Sequence, residues 1–137
     1  MKTTRRKFIG AMAQMAAAFG ITTWPMVSFA KTTEEKMLVH QVYFWLKDPE
    51  DRQAFDQLKS GLEKILRISS IESGHIGVPA TTEARDVVDH SYSFSYQVRF
   101  KNIADHDSYQ EDPIHLQFIE ECADLWNQVK VYDYNPL

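Results

Sequence analysis

The stretch Tyr109-Gln110-Glu111-Asp112-Pro113-Ile114-His115 contains a sharp helix start. Asp112 followed by Pro113 is a helix cap followed by a first-turn proline. His115 then lies in the first helical turn, where unpaired backbone N–H groups disfavour additional positive charge. A neutral imidazole there can accept a proton near neutral pH, and Tyr109 places a phenol close to it. The stretch predicts a proton-transfer pair, and the simpler interpretation is a capped helix with a surface histidine and a packed tyrosine.

Strands and helices alternate around this stretch. Alternating or continuous apolar residues predict strands at 38–46, 71–78, 91–100 and 129–134. A first helix is predicted from Asp48-Pro49. A second helical part starts at Asn102, breaks at Asp112 and reaches about Trp126. The order β-α-β-β-α-β predicts an α+β, ferredoxin-like fold, in which an antiparallel sheet carries helices on one face.

The sheet face turned away from the helices is also expected to be apolar. On the first strand this face carries Val39, Gln41, Tyr43 and Trp45. Exposed patches of this kind are typical of a partner surface, and a second copy packed sheet to sheet is the simplest partner. The sequence therefore predicts a homodimer.

Residues 1–30 resemble an export signal. Arg5 and Arg6 precede an Ala-rich apolar stretch that is short for a membrane span, as in the twin-arginine (Tat) signal. Ser28-Phe29-Ala30 offers small residues for cleavage after Ala30, followed by a flexible leader at 31–36. We expect a periplasmic or other extracytoplasmic location, with no membrane association after cleavage. The alternative is a basic N-terminus on an amphipathic helix.

The composition limits the number of domains and the classes of function that fit the chain. Cleavage after Ala30 leaves 107 residues, enough for one small domain. The removed segment holds four basic residues and no acid, so 11 basic and 19 acidic residues remain. This balance argues against nucleic-acid binding. Cys122 is the only cysteine, which excludes an intrachain disulfide.

Metal and cofactor motifs are not evident along the sequence. Asp105-His106-Asp107, and Asp86 with Asp89-His90, lack the ligand spacing typical of zinc sites. A glycine-rich phosphate loop, a Cys-x-x-Cys pair and a nucleophilic serine elbow are missing from the sequence as well. The sequence predicts no metal and no cofactor.

The pattern Tyr109-x-x-x-Pro113-x-His115-x-x-Phe118 resembles the stress-responsive A/B barrel (Dabb) family. The resemblance extends over roughly residues 37–134, and one departure is Asp112, where the family pattern has a histidine. It implies a dimeric α/β barrel domain at 37–135.

The resemblance also implies a site between sheet and helices. Dabb enzymes such as the plant olivetolic acid cyclase use a matching tyrosine and histidine for proton transfer, which implies catalytic roles for Tyr109 and His115. The implied ligand is a small aromatic or polyketide-like molecule, bound by His40, Val42, Phe44, Phe55, Leu58, Phe94 and Tyr96.

Two function classes fit the sequence. One is a cofactor-independent cyclase, isomerase or lyase, which the Tyr109 and His115 pair favours. The other is a non-catalytic, stress-responsive ligand-binding or structural dimer, in which the aromatics fill the core and His40 is a hydrogen-bonded core histidine. Asp112 in place of histidine, and Phe94 at a position that is polar in the cyclase, favour this second class. The antibiotic-biosynthesis-type monooxygenases share the architecture, but the Asp112–His115 segment differs from theirs.

Overall fold

The computed structural model describes residues 35–137. The export signal predicted at 1–30, with Arg5 and Arg6, lies outside the described residues, as do residues 31–34 of the leader. Within residues 35–137, no helix has both the length and the apolar character that a membrane crossing requires.

Four strands and three α-helices make up the described part of the chain. They are β1 (Leu38–Leu46), α1 (Arg52–Ile65), β2 (Ser73–Gly77), β3 (Phe94–Phe100), α2 (Ile103–Glu111), α3 (Pro113–Cys122) and β4 (Trp126–Tyr134). The strands form one antiparallel sheet in the order β2-β3-β1-β4. This confirms the predicted ferredoxin-like α+β fold.

Side-chain caps fix the break between α2 and α3. The Asp112 carboxylate accepts a hydrogen bond from the Ile114 backbone N–H at 2.8 Å, with Pro113 as the first helical residue. Asn102 accepts from the Asp105 N–H at 2.8 Å and starts α2. Both caps were predicted, and together they set where Tyr109 and His115 lie.

The start of α1 differs from the prediction. Asp51 is the cap and accepts from the Ala54 N–H at 3.0 Å, so α1 begins at Arg52 and not at Asp48-Pro49. Asp48 instead accepts from the Glu50 N–H at 2.9 Å within a turn.

The end of α3 also differs. The helix stops at Cys122 and a 3₁₀ turn follows over Ala123–Leu125, so Trp126 is the first residue of β4 and not the last of a helix. Trp126 pairs with Leu46 across a register shift in β1. Pairing with β1 therefore overrides the helical pattern of this segment.

The hydrophobic core lies between the helices and one face of the sheet. Its members include Val42, Phe44, Leu58, Leu62, Ile65, Tyr96, Val98, Phe100, Phe118 and Cys122. Tyr92 precedes β3, and its ring packs 4.9 Å from that of Tyr43 on the opposite face.

Gly61 permits close contact between α1 and α3. A Cβ atom at this position would lie 2.9 Å from the Cys122 Sγ and 2.9 Å from a ring carbon of Phe118. These separations are shorter than side-chain packing allows, so the two helices approach as closely as they do because residue 61 has no side chain.

Gly61→Val is expected to lower the free energy of unfolding by about 1–3 kcal/mol through overpacking. The better helix propensity of valine offsets only a few tenths of a kcal/mol. Urea unfolding followed by circular dichroism measures the change. The exposed neighbour Ser60 supplies the control, since Ser60→Val should stay within about 0.5 kcal/mol of the parent. Equal midpoints for the two variants would contradict the close helix contact.

Candidate functional site

A cavity of about 200 Å³ opens between the sheet and helices α2 and α3. Its apolar walls are Val42, Phe44, Ile65, Phe118, Ile119, Trp126, Val129 and Val131. Its polar groups are His40, Tyr96, Tyr109, Gln110 and His115. Apolar walls with a few convergent polar groups are typical of small-molecule sites.

His115 lies in the first turn of α3, with its ring partly buried. Its Nδ1 lies 3.3 Å from the Gln110 carbonyl oxygen. A carbonyl only accepts, so Nδ1 carries the proton and Nε2 is the basic nitrogen. Burial lowers the pKa of His115, and the nearby His40 and His106 lower it further. The hydrogen bond to Gln110 raises this pKa but does not offset the burial. The imidazole is therefore neutral at pH 7.

Tyr109 packs against His115 at the end of α2. The ring centroids are 4.5 Å apart, and Tyr109 is 1 % exposed. Its hydroxyl donates a hydrogen bond to the Tyr96 hydroxyl at 3.3 Å. Burial raises the pKa of Tyr109 to about 12 and raises the pKa of Tyr96 above the usual tyrosine range. Both phenols are therefore hydrogen-bond donors at neutral pH.

His40 extends from β1 beside this pair. It is 6 % exposed, and its Nδ1 lies 2.6 Å from the Asp133 Oδ1 of β4. Burial lowers the pKa of His40, while the hydrogen bond and charge of Asp133 raise it. The His106 ring of α2 lies 5.4 Å from the His40 ring. Sequence reasoning did not connect Asp133 or His106 with His40, although Asp133 is the only acid in β4.

The structure gathers most of the expected site residues but not all. His40, Val42, Phe44 and Tyr96 line the cavity together with Tyr109 and His115. The three other residues expected there lie elsewhere in the structure. The rings of Phe55 and Phe94 pack with centroids 4.4 Å apart and line a separate groove beside β2, because Phe55 near the start of α1 lies over Phe94 at the start of β3. Leu58 is fully buried in the core.

The opposite sheet face carries an open concavity of about 560 Å³. The Tyr43 ring lies 6.5 Å from that of Trp45 and 6.3 Å from that of Tyr132. Gln41, Tyr43 and Trp45 line this surface as expected. Val39 does not, since it is 1 % exposed and flanked in register by Arg99 and Tyr134, so it offers little surface to a partner.

The imidazole of His115 is expected to titrate below its ordinary pKa of 6.5. As the pH falls below 6.5, His115 binds a proton more readily in the unfolded chain than in the folded protein. Protonation of His115 therefore lowers the free energy of unfolding in this pH range. Histidine ring signals followed by NMR between pH 4 and pH 8 measure the pKa, with His115→Gln identifying the resonance. A midpoint at or above the ordinary value would contradict the partly buried neutral base.

Comparison with known proteins identifies the family of the chain. The model of the stress responsive A/B barrel domain (Dabb) family matches residues 38–136. No curated protein matches the chain.

Several solved structures share the fold. A Dabb family protein from Mesorhizobium loti has 22% identity, covers 75% of this chain and 99% of its own, and has a TM-score of 0.61. A hydroxynitrile lyase from Passiflora edulis has 17% identity, coverages of 74% and 94%, and a TM-score of 0.63. A dimeric ferredoxin-like protein of unknown function from Thermobifida fusca has 14% identity, coverages of 75% and 93%, and a TM-score of 0.61. At these identities the likeness concerns the fold, and it is the family match over nearly all described residues that shows the chain to be a member of the stress responsive A/B barrel domain (Dabb) family.

Proposed function

We propose that the protein binds a small aromatic or polyketide-like molecule in the cavity between sheet and helices and catalyses proton transfer on it. The reaction class is that of a cofactor-independent cyclase, isomerase or lyase. The observation that carries the proposal is the orientation of His115, whose Nδ1 is held by the Gln110 carbonyl so that Nε2 is the basic nitrogen. A positioned neutral imidazole on an apolar cavity suits general-base catalysis.

The two central residues have complementary roles. His115 removes a proton from a carbon acid or a hydroxyl of the bound molecule. Tyr109 turns its hydroxyl from Tyr96 toward the ligand and donates a hydrogen bond to the oxyanion that develops. Its pKa of about 12 keeps this donor protonated throughout.

The cavity volume limits the ligand. Its volume of about 200 Å³ is below the usual range of about 300–1,000 Å³ for ligand pockets. A dry protein cavity of about 150 Å³ holds one benzene ring. A single substituted aromatic ring is therefore the ligand size that fits.

An aromatic cyanohydrin tests the lyase branch of the proposal, because one solved structure with this fold is a hydroxynitrile lyase. Mandelonitrile has one ring and an acidic hydroxyl. His115 takes the hydroxyl proton, the freed electron pair forms the carbonyl, and the bond between the carbinol carbon and the nitrile breaks to release cyanide. The protonated His115 then returns this proton to cyanide, so the products are benzaldehyde and hydrogen cyanide. We expect benzaldehyde release, followed by its absorbance, above the rate in buffer. A rate equal to buffer, with His115→Gln indistinguishable from the parent, would count against this branch.

A second candidate is a non-catalytic, stress-responsive binding dimer. The bond between the hydroxyls of Tyr109 and Tyr96 favours it, because Tyr109 is engaged within the protein and does not point a hydroxyl at a ligand. Binding of benzaldehyde without turnover of any probe would support this candidate over the enzyme.

We also propose that the protein is a homodimer joined through the sheet face of Gln41, Tyr43 and Trp45. The partly buried aromatic rings of this face support the proposal, and the Thermobifida fusca protein with the same fold is described as dimeric. Aromatic residues are enriched at the centres of protein interfaces.

We propose export by the twin-arginine route, on the basis of Arg5 and Arg6 ahead of an apolar stretch. Replacing both arginines by lysine should leave the uncleaved precursor in the cytoplasm. Cell fractionation and immunoblotting measure the distribution, and Lys2→Arg with the pair intact is the control that should be exported. Full export of the double-lysine variant would contradict this route.

A further inference from the structure

Three side chains converge beside the cavity from three different elements. His40 comes from β1, His106 from α2 and Asp133 from β4, and one ligand atom of each lies within 4.8 Å of the others. We propose that these residues bind one divalent transition-metal ion of the Zn²⁺ class. Such a site is independent of the proposed reaction, and no spacing of ligands along the sequence indicates it, because the three residues lie far apart in the chain.

The chemistry of the donor set selects the ion class. Two imidazole nitrogens and one carboxylate suit Zn²⁺, Ni²⁺, Co²⁺ or Fe²⁺, whereas Mg²⁺ and Ca²⁺ prefer sites made of oxygen ligands. Three protein ligands also leave at least one coordination position for water or another small ligand. The cluster therefore matches a transition-metal site with an open position.

The separations are compatible with an ion. Ligand atoms at about 2.1 Å from a tetrahedral ion lie about 3.4 Å from one another. The His40 Nδ1 and Asp133 Oδ1 atoms are 2.6 Å apart, with a proton between them, and the longest separation in the cluster is within 4.8 Å. The separations therefore differ from the coordination value by at most about 1.4 Å.

Burial and access are suited to binding. Apart from tyrosines, His40 is the single polar residue among the buried side chains of the described residues. The side chain of His106 is 15 % exposed and that of Asp133 is 46 % exposed, so the cluster is protected on the β1 side and open to solvent at β4. An ion can therefore enter at Asp133.

Each ring nitrogen of His106 has a hydrogen-bond partner. The Asp107 carboxylate lies 3.3 Å from Nδ1, and the Gln110 side-chain amide lies 3.2 Å from Nε2. An ion bound through one ring nitrogen replaces the partner at that nitrogen, and the partner at the other nitrogen then fixes the ring orientation, as is usual at metal sites.

Titration of the full chain with Zn²⁺ by isothermal calorimetry tests the proposal, after EDTA treatment and dialysis. We expect one ion per chain. Asp133→Asn and His106→Gln should each weaken binding by more than about tenfold, since loss of even an outer partner typically costs about 10–100-fold. Co²⁺ in place of Zn²⁺ should give a visible absorption band that both variants reduce.

Two matched controls separate the site from other histidines. His75→Gln changes an exposed histidine of β2, and His115→Gln changes the proposed catalytic base. Both should bind Zn²⁺ as the parent does, and unchanged circular dichroism melts would show that Asp133→Asn and His106→Gln are folded. No saturable binding, or equal affinity in the parent, Asp133→Asn and His106→Gln, would overturn the proposal.

Discussion

Trp45→Asp is expected to convert the proposed dimer into monomers. Trp45 lies on the sheet face, with its ring 6.5 Å from that of Tyr43 and the Lys130 Nζ 5.7 Å from its centroid. A carboxylate in a dry, sheet-to-sheet interface lacks compensation from water and costs about 3–5 kcal/mol. That corresponds to a rise of more than about 100-fold in the dissociation constant. Light scattering coupled to gel filtration at micromolar concentration measures the mass.

Leu116→Asp is the matched control, because it introduces the same charge and removes apolar surface outside the proposed interface. Leu116 is exposed on α3, on the helical layer and not on the open sheet face. This variant should remain dimeric at the same concentration. A monomeric parent protein, or a dimer that tolerates Trp45→Asp, would contradict the proposed interface.

His115→Gln is expected to reduce turnover of a responsive substrate such as mandelonitrile by about 10²–10⁴-fold. Glutamine preserves the approximate size and polarity but offers no basic nitrogen. Tyr109→Phe should reduce turnover by about 10²–10³-fold, because it removes the hydrogen-bond donor and keeps the ring that packs on His115. Initial rates under kcat/KM conditions measure both losses.

His90→Gln serves as the control, since His90 bonds Thr82 in the segment between β2 and β3, outside the cavity. It should retain parental turnover, and all three variants should keep the parental mass and melting curve. Parental rates in both His115→Gln and Tyr109→Phe would exclude the assigned pair.

Local sequence signals predicted the fold well where one residue determines the outcome. The Asp112 cap with Pro113 set the start of α3, and the apolar run from Leu38 gave β1 its observed bounds. The predicted ends of helices and strands were wrong where strand pairing in the fold competes with the local helical preference. Trp126 has a helical pattern but pairs with Leu46, and that contact is not visible in the local sequence.

Only the local contacts of the candidate site could be predicted from the sequence. Tyr109 and His115 are close in sequence, so a cap and a helix turn suffice to bring them together. The contact of His40 with Asp133 depends on the register between β1 and β4, which period-two patterning leaves undefined. Phe55 was assigned to the wrong cavity because the apolar stripe of α1 does not reveal which strands it covers.

Binding of benzaldehyde, a single-ring aromatic, is the most direct test of the claim that the cavity at His115 is a ligand site. The measurement is an NMR titration of protein labelled in its histidine rings. Saturable shifts of the His115 signals are predicted, with the exposed His75 unchanged. Val131→Trp, which fills the cavity from β4, should abolish those shifts. His115 signals that do not respond at saturating benzaldehyde, or that respond equally in Val131→Trp, would contradict the account.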